Sequence, residues 1–188
     1  MKERFDRTLI DRLESPERKR ELPADELLKK LGVHGDVDVL DIGAGTGYFS
    51  IPASGMTAGT VFAVDTEPVM LQLMRDRAAA QGTKNMEVRE GIIEQLPLAD
   101  ASVDRVIASL ILHITERLED SVKELARVLR PGGRCLCLEW QEDPNEQRDP
   151  KPSRVKPEHM QAVLEQAGFQ VNGIEFVSDR HYLIIAIK

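Results

Sequence analysis

Cysteine is nearly absent from this chain: two residues in 188, Cys135 and Cys137, both inside the apolar run LCLCL. Two positions apart on a strand, they share a face and offer no disulfide framework, so buried free thiols and a reducing, cytoplasmic setting are expected. Aromatic residues are also scarce, at 4%, which leaves no pattern for an aromatic cage or a basic, aromatic nucleic-acid surface. Bases are outnumbered 25 to 32 by acids, a balance that speaks against a large phosphate-binding face. No apolar stretch approaches the ~18 residues needed to cross a bilayer. The opening MKERFDRTLIDRLESPERKR is too charged for a secretory signal. Internal repeats are absent. What remains is a 41% hydrophobic chain, enough for one compact domain over residues 1–188.

The apolar segments alternate between strand and helix periodicity, which argues for a parallel sheet covered on both faces. A helix over Ala24–Leu31 stops at Gly32. The strands are read at about 37–42, 60–65, 86–90 and 103–108, and at GRCLCLEW. A helix after the second strand carries Met70, Leu71, Leu73, Met74, Arg77 and Ala78, with Thr66 placed to cap it. A further helix presents Leu118, Val122, Leu125, Ala126 and Leu129 on one face and ends before Pro131-Gly132-Gly133. The polar, proline-rich stretch 141–157 interrupts the alternation. A helix over 158–167 and an antiparallel hairpin of strands near 169–177 and 181–187 complete the chain.

The most informative segment is VLDIGAGTGYFS, residues 39–50: a short strand ending in an acid, a glycine-rich turn, then a helix start. Its glycines, at 43, 45 and 47, follow a GxGxG spacing, one residue tighter than the GxGxxG of dinucleotide-binding turns. Asp41 would repel a pyrophosphate but could hold an ammonium group. Asp65 ends the next strand, 22 residues after Gly43, where a carboxylate can accept both ribose hydroxyls. A ligand with a nucleoside and a positive charge is expected, and S-adenosylmethionine fits.

VLDIGAGTGYFS, VFAVD, EGIIEQLPLADASVDRVIAS, VLRPGG and LEQAGF stand in the order found in class I S-adenosylmethionine-dependent methyltransferases, and this chain resembles that family over about residues 30–188. The likeness is closest to the branch that holds the ubiquinone and menaquinone biosynthesis methyltransferases. It implies an α/β fold, a three-layer doubly wound Rossmann-like domain with a seven-stranded sheet ordered 3-2-1-4-5-7-6 and strand 7 antiparallel. The core would be 31–188, and residues 1–30 a helical extension or lid. Carried onto this sequence, the cofactor site comprises Asp41, Gly43, Ala44, Gly45, Thr46, Gly47 and Tyr48 from the first loop. Asp65, Thr66 and Met70 follow the second strand, Gly91, Ile92 and Ile93 the third, and Ser109 and Leu110 the fourth. Relatives commonly have an acid and a small residue at the positions of Ile92 and Ile93, so adenine would be held here by apolar and main-chain contacts, with Glu94 a further polar candidate. His113, in SLILHIT, matches a histidine common near the transferred methyl group, where it would orient a substrate hydroxyl or take its proton.

The expected activity is methyl transfer to a small molecule by in-line displacement, with S-adenosylhomocysteine as product. No NPPY-like motif follows the fourth strand, no cysteine is placed to attack cytosine, and arsenite-type relatives use separated cysteines that this chain lacks. Glu139, Glu142 and Asp143 after the fifth strand read as a solvated loop rather than metal ligands, so no metal site is expected. A silent cofactor-binding partner protein, an RNA or protein methyltransferase and an aminopropyltransferase are the alternatives. Neither nucleic acid nor a membrane span is expected, and a homodimer is compatible with the sequence. Acceptor recognition is assigned to residues 1–23, where Phe5, Leu9, Ile10 and Leu13 have amphipathic helical spacing, and to 141–157 beside Trp140. Deleting residues 1–20 is expected to leave cofactor binding intact and abolish turnover.

Overall fold

The computed structural model describes residues 7–142 and 153–188, without the side chains of 7–9. Phe5, the Leu9 side chain, Asp143 and most of the 141–157 stretch therefore lie outside the described residues.

Four parallel strands, β1 (Val39–Ile42), β2 (Val61–Asp65), β3 (Met86–Glu90) and β4 (Val103–Ser109), together with the longer β5 (Leu129–Trp140), form most of the sheet. Two short segments, β6 (Gln170–Val171) and β7 (Glu175–Ser178), and the antiparallel β8 (His181–Ile187) complete it. The order is β3-β2-β1-β4-β5-β8-β6, with β7 also on β8. This is the expected doubly wound arrangement with one difference. The expected strand over 169–177 is two pieces lying along the same side of β8, separated around Gly173, whose φ of 147° is hostile to other residues. Eight strands thus occupy the seven expected positions.

All four residues of β1 are buried, as a strand flanked on both sides and covered on both faces must be. Alternation divides the core. Val39, Val61, Ile107, Leu136 and Leu138 face one layer with α3 (Ala24–Leu31) and α4 (Ser50–Met56). Ala63 packs there with Leu71 and Met74 of α5 (Pro68–Ala80). Leu40, Val64, Val106, Cys135 and Cys137 face the opposite layer with α6 (Leu118–Val128) and α7 (Pro157–Gln166). Both thiols are buried and free, 3.6 Å apart.

Two local readings are corrected. Leu129 does not extend the helical face: it ends α6 and starts β5, pairing with Val103. Thr66 caps nothing, because Pro68 fixes the start of α5 and Glu67 is its N-cap, without a side-chain cap. Strand order reverses between β1 and β4, so the carboxyl ends of β2, β1, β4 and β5 gather at one edge, where ligands bind in such sheets. At the N-terminus, α1 (Arg7–Leu13) and α2 (Pro16–Glu21) are two short helices separated by two residues. Among the described residues no helix is long and apolar enough to cross a membrane.

Candidate active site

The turn after β1 is held in left-handed backbone at all three glycines, with φ of 67°, 55° and 83° at Gly43, Gly45 and Gly47. A side chain at Gly43 would put a Cβ 2.9 Å from Ile111, and one at Gly47 would come within 3.0 Å of Ile51 and 3.3 Å of Met74. Glycine at both positions therefore serves conformation and close packing together. The turn is tied to β2 by the Gly43 and Ala44 amides, which donate to the Val64 carbonyl at 2.9 and 3.1 Å.

Asp65 binds the two tips into one unit. Its Oδ2 accepts from the Gly45 amide at 2.7 Å and its Oδ1 from the Glu67 amide at 2.9 Å. A carboxylate has about four lone-pair sites, so acceptor capacity remains for ligand hydroxyls. Thr66 beside it is exposed, whereas Met70 is buried.

Asp41 is turned inward. It is 2% exposed, and its Oδ2 accepts from Ser50 Oγ at 2.5 Å. Burial pushes its carboxyl up to about 7, against the Ser50 hydrogen bond and with help from the Asp65 charge. Ser50 is a member of this site that the sequence reading did not single out.

Thr46 and Tyr48 anchor the N-terminal helices. Thr46 Oγ1 donates to Glu14 Oε1 at 2.5 Å, and Arg77 Nη1 donates to that oxygen and to the Thr46 carbonyl, both at 2.7 Å. Burial opposes the Glu14 charge, but these bonds outweigh it and hold the carboxyl below its usual range. Tyr48 donates its hydroxyl to the Leu22 carbonyl at 2.6 Å. A groove of about 610 Å³ beside this junction is lined by Glu14, Lys19, Pro23, Tyr48, Ile51 and Arg77, among others.

The loop after β3 divides the two isoleucines. Ile93 is core at 6% exposure, while Ile92 is 49% exposed. Gly91 joins this loop to β2 through its amide, 3.1 Å from the Asp65 carbonyl. At the tip of β4, Ser109 Oγ is buried with no hydrogen-bond partner. Leu110 follows at φ 56°, an unfavourable conformation for leucine of the kind that concentrates at functional turns.

His113 lies on the 3-10 turn Leu112–Ile114, and its Nδ1 is 2.8 Å from Glu139 Oε2. Glu139 is fully buried near the end of β5, contrary to its reading as part of a solvated loop. Its Oε1 accepts from the Leu112 and His113 amides at 2.8 and 3.3 Å, and its Oε2 from the Trp140 amide at 3.3 Å. These contacts compensate the burial of its carboxylate. A carboxylate at Nδ1 favours the proton there and leaves Nε2 as an acceptor. The structure thus brings the glycine turn, Asp65, Ser109 and Leu110 to one edge of the sheet, adds Glu139 behind His113, and leaves Met70 and Ile93 in the core.

The family described as methyltransferase domain matches residues 40–137. An arsenite methyltransferase of Halobacterium salinarum is 31% identical over 160 residues, 75% of this chain and 41% of its own length. An uncharacterized protein of Mycobacterium tuberculosis is 36% identical over 114 residues, 61% of this chain and 41% of its own length. The chain spans about two fifths of the length of these curated relatives. Among solved structures, a SAM dependent methyltransferase from Aquifex aeolicus superposes with a TM-score of 0.86 at 26% identity, covering 98% of this chain and 99% of that one.

Proposed function

Because this chain belongs to the methyltransferase domain family, we propose that it transfers a methyl group from S-adenosylmethionine to a small-molecule acceptor. The observation that carries this reading is the joined tip of β1 and β2, where Asp65 bonds the Gly45 amide within a turn of three positive-φ glycines. The donor set suits the cofactor. Asp65 keeps lone pairs for the ribose hydroxyls, the half-exposed Ile92 offers an apolar surface to adenine, and Ser109 Oγ is a buried hydroxyl in want of a partner.

S-adenosylmethionine, when bound, supplies a methyl already activated by its sulfonium, so no protein nucleophile is required. The chain's own part is positioning, which can remove on the order of 7–11 kcal/mol of barrier. His113, with Nδ1 engaged by Glu139, accepts the acceptor's proton at Nε2. An acceptor with an ionisable O–H or N–H suits that base. Arsenite suits this chain poorly, because Cys135 and Cys137 are both sealed in the core. The N-terminal helices, held on the glycine turn through Glu14 and Thr46, act as a lid that excludes water.

The test is to incubate the protein with methyl-labelled S-adenosylmethionine and a cell extract, then fractionate the label. Label in low-molecular-weight products, lost with Asp65→Ala, is expected. Label confined to RNA or protein would overturn the small-molecule reading.

A further inference from the structure

Arg18 sits on α2, with its Cζ 4.7 Å from the centre of the Tyr48 ring. Its Nε is shut off from solvent without a hydrogen-bond partner, the side chain as a whole is half-buried, and among the described residues it forms no ion pair. A guanidinium N–H closed off from water normally finds a hydrogen-bond acceptor. Two carboxylates, Glu14 and Asp41, lie close enough to favour its charge, with Arg12 opposing, yet neither pairs with it. Glu14 is occupied by Thr46 and Arg77, and Asp41 by Ser50. Burial and the neighbouring Arg180, Arg18 and Arg154 push His181 down to about 4, so this imidazole stays neutral and adds no second positive charge beside Arg18. The preceding helix α1 lies against the glycine turn, for Leu13 Cδ1 is 4.0 Å from where a Gly45 Cβ would stand, and Tyr48, under Arg18, directly follows that turn.

An unanswered cation near a buried acid, the two unpaired with each other and both beside a glycine turn, complements a zwitterion. We propose that Arg18 seats the α-carboxylate of the cofactor's methionine portion, while the ammonium on the same carbon faces Asp41. This rests on the cofactor reading above and deepens it. The guanidinium fork matches a carboxylate with two parallel hydrogen bonds, and Tyr48 supports its plane from below. The placement also reverses the expectation that residues 1–20 serve turnover alone: removing them removes a cofactor contact.

The test is calorimetric titration of the full chain and of Arg18→Met, each with S-adenosylmethionine and with its decarboxylated analogue, which lacks only that carboxylate. The wild type should bind the decarboxylated analogue about 10- to 100-fold more weakly. Arg18→Met should lose the same factor for S-adenosylmethionine and bind the two ligands alike. Equal affinities in the wild type would overturn the proposal, and would do so even if the variant failed to fold. An equal loss for both ligands in a folded Arg18→Met would also overturn it, since that is the mark of a packing role. Undiminished discrimination in the variant would give the carboxylate to another residue. Failure of both ligands to bind the wild type would remove the cofactor reading itself.

Discussion

Asp65 and Glu139 stand near the carboxyl ends of parallel strands on opposite sides of the point where strand order reverses. Asp65 is 9% exposed and spends one bond per oxygen on the Gly45 and Glu67 amides. Glu139 has no exposure and is closed in by His113 and the amides of Leu112, His113 and Trp140. One acid shapes a binding turn and keeps capacity for a ligand. The other is consumed within the protein and acts outward only through the imidazole it orients. On the function proposed above, the same chemical group serves binding on one side of the sheet and positioning on the other, and the difference lies in what else its lone pairs touch.

The largest test of this contrast is to remove each acid. Glu139→Ala takes their carboxylate partner from the half-buried His113 imidazole and from the Leu112, His113 and Trp140 amides, and should destabilise the fold by about 3–5 kcal/mol in urea titration. The gentler Glu139→Gln should lower turnover while leaving affinity for S-adenosylhomocysteine within about twofold. Asp65→Ala should cut that affinity about 100-fold, through lost ribose bonds and a loosened Gly45. Turnover and affinity changing together in both variants would erase the distinction.

A smaller effect follows from Asp41. Its folded-state pKa of about 7 lies above the ordinary 3.8, so the folded protein holds that proton more tightly than the unfolded chain. The associated stability is fully present below about pH 4 and is lost as pH rises through 7. A cationic ligand group prefers the ionised form, so cofactor affinity should fall up to about tenfold from pH 8 to pH 6. Asp41→Asn should flatten both trends in calorimetry and thermal melts. The smallest expected change is at Ile92, exposed enough to accept an acid. Ile92→Asp should tighten S-adenosylhomocysteine binding by about three- to tenfold, one hydrogen bond's worth, and an unchanged affinity would place adenine elsewhere.

The binding side was far more legible than the positioning side. Glycines at fixed spacing and an acid ending VFAVD are local signals, because backbone conformation and strand termination are written in neighbouring residues. Glu139 carries no such signal: in LEWQED it resembles the start of a charged loop, and only the three-dimensional approach of the Leu112–Ile114 turn makes its burial tolerable. Arg18 is hidden in the same way, one charged residue in the run PERKRE whose neighbours Glu17, Lys19 and Arg20 are solvent-exposed. The passage from helix to strand at Leu129 was missed because an apolar residue at the right spacing suits either element. The division of the last hairpin around Gly173 depends on pairing with β8 rather than on local pattern.

The most direct measurement is a side-by-side calorimetric titration of S-adenosylhomocysteine into the wild type, Asp65→Ala and Glu139→Gln. Clear binding to the wild type, a loss of about 100-fold with Asp65→Ala and near-wild-type affinity with Glu139→Gln is the predicted result. An equal loss in both variants, or a wild type that does not bind, would contradict the assignment of binding to one side of the sheet and positioning to the other.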